Sequence, residues 1–197
     1  MIEFGLREYQ LHILATMPLS RRVMDALDEL RATPDEARTT LNNAERVGLF
    51  RPGHLIELEL SILGEPSTEL SRPLPGEPFS ESFAGSRAFA FQLPVFVGLH
   101  YVINVTPTGV VWGQHMARPM DQSTPMIETF DDLQPWRFVK EEVLAALRTH
   151  ELIDEFSFSE TYSGVMDEPR FAHGRSVVVR FDFGLLQEAQ DATIAGR

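Results

Sequence analysis

The sequence predicts an α+β fold: a mainly antiparallel sheet of about six or seven strands with three principal helices packed on it. Three observations carry that expectation. The stretch Val95–Ala117, VFVGLHYVINVTPTGVVWGQHMA, alternates apolar residues and reads as a β-hairpin. Capping residues at Ser20 and Thr33 mark two helix starts. Trp136, Val139, Val143, Leu144 and Leu147 recur at helical spacing and mark a third helix. The order reads strand, two helices, four strands, helix, two strands. We expect a single domain over residues 1–187, with room for a subdomain boundary in the Pro-rich loop 64–80, and a frayed tail over 188–197.

At the start, Ile2 to Met17 fits two patterns. Tyr9, Leu11 and Ile13 alternate as in a strand, whereas Leu6, Tyr9, Ile13 and Leu14 form a helical stripe. We read a strand ending at Pro18. Ser20 then caps a helix over Arg21 to Arg31, with Val23, Leu27 and Leu30 on its buried side. The next helix begins with Thr33 as N-cap, Pro34 at the first helical position and Asp35 and Glu36 in the first turn. Glu36 stands where a capping box needs it, and Gly48 ends the helix. Two helices before an extended segment do not make a winged-helix DNA reader here. No third helix fits, and Asp25, Asp28, Glu29, Asp35 and Glu36 oppose phosphate.

His54 to Leu63 alternates Ile56, Leu58, Leu60 and Ile62 with Glu57, Glu59 and Ser61, and reads as a strand with one wet face. A loop rich in Pro follows, then a strand from Arg87 to Leu93 that Pro94 breaks. In the central hairpin, a loop of two or four residues centred on Pro107 and Thr108 gives a register in which paired numbers sum to 215. That register sets His100 directly opposite His115, with Cβ atoms about 5 Å apart. Two imidazoles so placed could share a divalent metal ion or supply an acid and a base. Gly98 and Gly113 beside them leave room for a ligand or for a packed helix. Further on, Asp131 or Asp132 caps the helix Pro135–Thr149, whose Lys140, Glu141 and Glu142 point away from the core. Two strands close the chain, one through Phe156, Phe158 and Tyr162 and one through Val177, Val179, Phe181 and Phe183. Residues after Gln187 read as helical before they fray.

Composition narrows the function. The chain has 197 residues, a net charge of −12 and no cysteine. Disulfides, thiol catalysis and cysteine metal sites are therefore excluded. No apolar run reaches membrane-spanning length and the first residues do not form a signal peptide, so we expect a cytoplasmic protein without a membrane partner. From Asp121 to Glu168, twelve Asp or Glu residues stand against Arg137, Lys140 and Arg148, which leaves −9. Such a surface repels nucleic acid and suits a protein partner with a basic surface. Neither a nucleophile elbow, a zincin motif, a Rossmann fingerprint nor an EF-hand loop occurs.

The reading that follows is a non-catalytic protein-interaction module, in an inhibitor, immunity-type or adaptor role, requiring no cofactor. Its candidate partner-binding residues are Asp131, Asp132, Glu141, Glu142, Asp154 and Glu155. The alternative is a metal-assisted hydrolase or small-ligand binder centred on His100 and His115.

Overall fold

Residues 4–50, 53–70, 85–168, 171 and 173–192 are described by a computed structural model. They fall into two units, Met1–Gln114 and His115–Arg197. Among the described residues the fold is α+β, with five helices and two antiparallel sheets of four strands each. The expected class holds, but one sheet of six or seven strands and three helices is replaced by this larger set. No helix among the described residues is long and apolar enough to cross a membrane.

The first unit opens with α1 (Leu6–Thr16), where a strand was expected. The Glu8 carboxylate accepts the Gly5 backbone N–H at 3.1 Å and so satisfies a donor at the helix start. Every residue from Tyr9 to Leu14 is buried, so α1 is enclosed on all sides. Apolar Tyr9, Leu11, Ile13 and Leu14, with Gln10 and His12 buried between them, satisfy period 2 and period 3.6 together, which is why alternation misled here. Helices α2 (Arg21–Glu29) and α3 (Pro34–Val47) begin where their capping residues place them. Ser20 Oγ accepts from Val23 N–H and Thr33 Oγ1 from Glu36 N–H. The Glu36 carboxylate does not close the expected capping box; it pairs with Arg7 at 2.9 Å.

Residues 56–63 form α4 (Ile56–Leu63), not the expected strand. Leu and Glu are good helix formers, and the helical turn brings Ile56 and Glu59 to the buried side together. The sheet of this unit runs β1 (Thr68–Leu70), β2 (Arg87–Phe91), β3 (His100–Val105) and β4 (Val111–Ala117) in that spatial order. The last three residues of β4 belong to the second unit. Tyr101, Ile103 and Val105 are buried, and so are Val102 and Asn104 from the other face. The first hairpin arm is shorter than expected, because Val97 is exposed and Gly98 adopts a positive φ of 77° before β3 begins. Most of the Pro-rich loop, residues 71–80, lies outside the described residues.

The second unit is a four-stranded meander. After a 3-10 turn at Phe130–Asp132 come α5 (Lys140–Ala146), β5 (Leu147–Phe156), β6 (Ser159–Met166), β7 (Arg175–Asp182) and β8 (Leu185–Asp191). The strands lie in the order β5-β6-β7-β8, each antiparallel to the next. Leu133, Phe138, Val143, Leu147, Met166, Val177, Val179, Phe181 and Leu186 form its core. Three expectations are corrected. The strand expected through Phe156, Phe158 and Tyr162 is broken where Ser157 takes a positive φ of 56°, so that Phe156 ends β5 and Tyr162 lies on β6. The predicted helix 135–149 is helical only over α5, because Trp136 takes a positive φ of 65° and the chain extends at Leu147. Residues after Gln187 continue β8 to Asp191 rather than starting a helix, and 193–197 lie outside the described residues.

Candidate functional site

The hairpin turn that was to align the two histidines has a three-residue loop. Gly109 N–H donates to Thr106 O and Thr106 N–H to Val110 O, both at 2.9 Å. Gly109 takes a φ of 84°, the left-handed conformation that a type I turn followed by a one-residue bulge requires. Thr106 therefore faces Val110 at the mouth, and their numbers sum to 216. The register of 215, on which the placement of His100 opposite His115 rested, does not start at this turn.

His100 opens β3 and is partly exposed. His115 belongs to the second unit and is 8% exposed, with Gly184 so close that a Cβ there would lie 3.3 Å from the His115 Cβ. Burial first, and the Lys140 charge second, push its imidazole down from 6.5 to about 4. His115 is thus neutral at neutral pH, the state a metal ligand needs. Among the described residues, however, no group of three His, Asp or Glu side chains converges to hold a metal ion.

The most concentrated polar cluster of the first unit was not among the candidates. Glu59 on α4 has 0% exposure, and its Oε1 lies 2.7 Å from His54 Nε2 and accepts from Gln114 Nε2 at 2.8 Å. Nearby, the Tyr9 and Tyr101 hydroxyls meet at 3.1 Å. Burial raises the Tyr9 pKa well above its usual value, with the charges of Tyr101 and Glu59 adding to the effect. A His–Glu pair at this distance has the composition of an acid–base dyad. Yet Glu59 is closed to solvent and His54 nearly so, which fits a network that fixes α4 against the sheet. Reading 54–63 as a strand hid this pair, since a strand sends His54 and Glu59 to opposite faces.

The candidate acidic residues separate into two groups. Asp132 accepts the backbone N–H groups of Glu128 and Thr129, and these bonds hold its carboxyl below the usual range. Glu142 pairs with Arg118 and accepts the Val139 N–H at 3.0 Å. Both are committed to local structure. Glu141 is half-buried on α5, and Asp131 is exposed beside the 3-10 turn. Asp154 and Glu155 are exposed on β5. On that strand they are joined by Glu151, which the sequence reading did not select. No ion pair engages Glu151, Asp154 or Glu155 among the described residues.

Strand β5 is unlike any other strand of its unit. Leu147 alone is buried, and every residue from Arg148 to Phe156 is exposed. Leu152 is 43%, Ile153 53% and Phe156 79% exposed, so apolar and acidic side chains share one open strip. Charged residues at the centre of 147–156 concealed the strand from pattern reading.

No protein-family model matches the sequence, and no curated protein matches it either. A solved structure to which the chain is similar is a candidate β-lactamase inhibitor protein from Streptococcus mutans, with 12% identity, 73% of this chain and 85% of that chain covered, and a TM-score of 0.27. A likeness that slight carries no conclusion about this chain.

Proposed function

We propose that the chain is a non-catalytic protein-interaction module that presents the acidic strip of β5 to a protein partner with a basic surface. The carrying observation is the exposure of Glu151, Asp154 and Glu155, with no ion pair among the described residues, beside exposed Leu152, Ile153 and Phe156. Exposed apolar side chains supply area that drops out of water on docking, at roughly 25 cal/mol per Å². The carboxylates supply orientation and rate of encounter, since charge complementarity governs specificity and association more than raw affinity. An inhibitor, immunity-type or adaptor role is consistent with such a strip. The absence of cysteine suits a reducing compartment, and a cytoplasmic location is part of the proposal.

Affinity capture from the native host tests this reading. Wild-type protein is compared with the triple variant Glu151→Gln, Asp154→Asn, Glu155→Gln, at low and at high salt. A basic protein retained at low salt by the wild type, and lost both in the variant and at high salt, is the expected result. Equal retention by the two proteins would remove the acidic strip from the interface.

A further inference from the structure

We propose that the partner engages this module by strand addition: an extended segment carrying alternating basic and apolar residues pairs its backbone with the outer edge of β5. The inference rests on the interaction reading above and specifies how that surface works.

The two edges of the second unit's sheet are treated differently. Along the start of β8 the chain lays down its own segment 136–140. Trp136 N–H donates to Leu186 O at 2.8 Å, Leu186 N–H to Phe138 O at 3.0 Å, and Lys140 N–H to Gly184 O at 2.8 Å. Val139 and Leu185 form an antiparallel bridge there. At the opposite edge, β5 pairs with β6 on one side, and among the described residues no strand or loop pairs with its other side. An uncovered edge of this length is a template for another strand.

Proteins that keep such an edge private shorten it, place lysine on it or twist it away with bulges. β5 is ten residues long and carries no lysine. It does have two register shifts, between Leu147 and Thr149 and between Leu152 and Asp154. The shifts bracket Thr149–Leu152, a regular run that holds Glu151 and Leu152 on opposite faces. An incoming strand would therefore meet a carboxylate on one face and an apolar side chain on the other.

Charge selects the occupant. Glu155 lies directly opposite Glu160 in the β5–β6 ladder, and like charges so placed are destabilising. Glu160 is balanced by Lys140 Nζ at 2.9 Å. Glu155 shares the Leu152 face, whereas Glu151 and Asp154, opposite Ser163 and Thr161, share the other and have no ion pair among the described residues, so alternate Lys or Arg residues on an added strand would meet those two. A second copy of this chain would instead bring an edge of the same net negative charge, since Arg148 stands alone against three carboxylates and already pairs with Asp167. The acidic edge thus fits a basic strand of another protein.

The test uses the full chain and a synthetic peptide of alternating Lys and Ile, with a second peptide of the same sequence N-methylated at every residue. N-methylation keeps every side chain but removes the donors along both edges. The expected result is binding of the plain peptide with new amide-exchange protection confined to residues 149–156. Binding should weaken by at least about tenfold both for the N-methylated peptide and for the triple variant Glu151→Gln, Asp154→Asn, Glu155→Gln. Equal binding of the two peptides, with the triple variant still weak, overturns strand addition and leaves the acidic-surface reading standing. Binding of the plain peptide without protection at 149–156 likewise overturns strand addition alone, whereas full binding by the triple variant overturns both. Protection of the same amides in a concentrated sample without peptide, accompanied by dimer formation, assigns the edge to a second copy and overturns the proposal.

Discussion

Glu59 and the three acidic residues of β5 are the same chemistry put to opposite uses. Glu59 has no exposure, and its carboxylate is held by His54 and Gln114. Glu151, Asp154 and Glu155 stand in water with no ion pair among the described residues. A carboxylate taken out of water must be matched by donors at its site, so its partners are part of the fold. One left in water costs the fold little and keeps its charge for something else. Net charge alone, −12 for this chain, does not separate the two uses; position in the fold does.

The sharpest way to break that contrast is Glu59→Ala. It strands His54 and Gln114 in the interior and should lower unfolding stability by roughly 3–5 kcal/mol in urea titrations. A loss under about 1 kcal/mol would mean that Glu59 is not the organising group of its cluster.

Acidification probes both units through their buried histidines. His12, stacked on Phe50 at 3.7 Å in the first unit, is pushed by burial from 6.5 to about 4, as is His115 in the second. The folded pKa lies below the unfolded one, so the unfolded chain takes up the proton first. Each histidine's contribution is fully present above about pH 6.5 and falls by roughly 3 kcal/mol as pH drops to about 4. Urea midpoints measured across that window should decline in the wild type. In His12→Phe the decline should be shallower, and an identical slope would contradict the assignment.

A smaller effect is expected at Gly164, opposite His150 in the β5–β6 ladder. A Cβ there would lie 2.6 Å from Leu147 Cδ1 and 2.8 Å from the Thr149 carbonyl oxygen. Gly164→Ala should cost about 1–3 kcal/mol in thermal melts by pushing β5 off its neighbour. Smallest of all is the triple neutralisation Glu151→Gln, Asp154→Asn, Glu155→Gln. Its melting curve should match the wild type to within about 0.5 kcal/mol, while capture of a basic partner is lost. A large change in stability would place those residues in the fold rather than at an interface.

Legibility in the sequence followed the locality of the signal. Helices α2 and α3 were readable because Ser20, Thr33, Pro34 and Gly48 act within one turn of the backbone. Strand β2 was readable because Phe89 and Phe91 alternate in a short run before Pro94. Helices α1 and α4 were not, since apolar residues at every second position fit a strand and also fit a helix, whether buried all round like α1 or on one side like α4. Only tertiary packing chooses between them. The register expected for the central hairpin rested on a loop of two or four residues, and the turn at Pro107–Gly109 has three, a difference that side-chain patterning does not signal. Of the candidate acidic residues, Asp154 and Glu155 fall on the open strip, whereas Asp132 and Glu142 are taken up by backbone donors and Arg118. Capping and pairing of that kind depend on neighbours the sequence does not place side by side.

The most direct measurement is residue-resolved amide hydrogen exchange on the protein alone. The amide of Leu186, bonded to the chain's own segment 136–140, should be protected to the level of global unfolding. On β5, the amides between Thr149 and Phe156 that do not face β6 should exchange near the rate of an open chain. Protection along β5 equal to that of β8 would show the edge already occupied, and would contradict a module that holds this strand open for a partner.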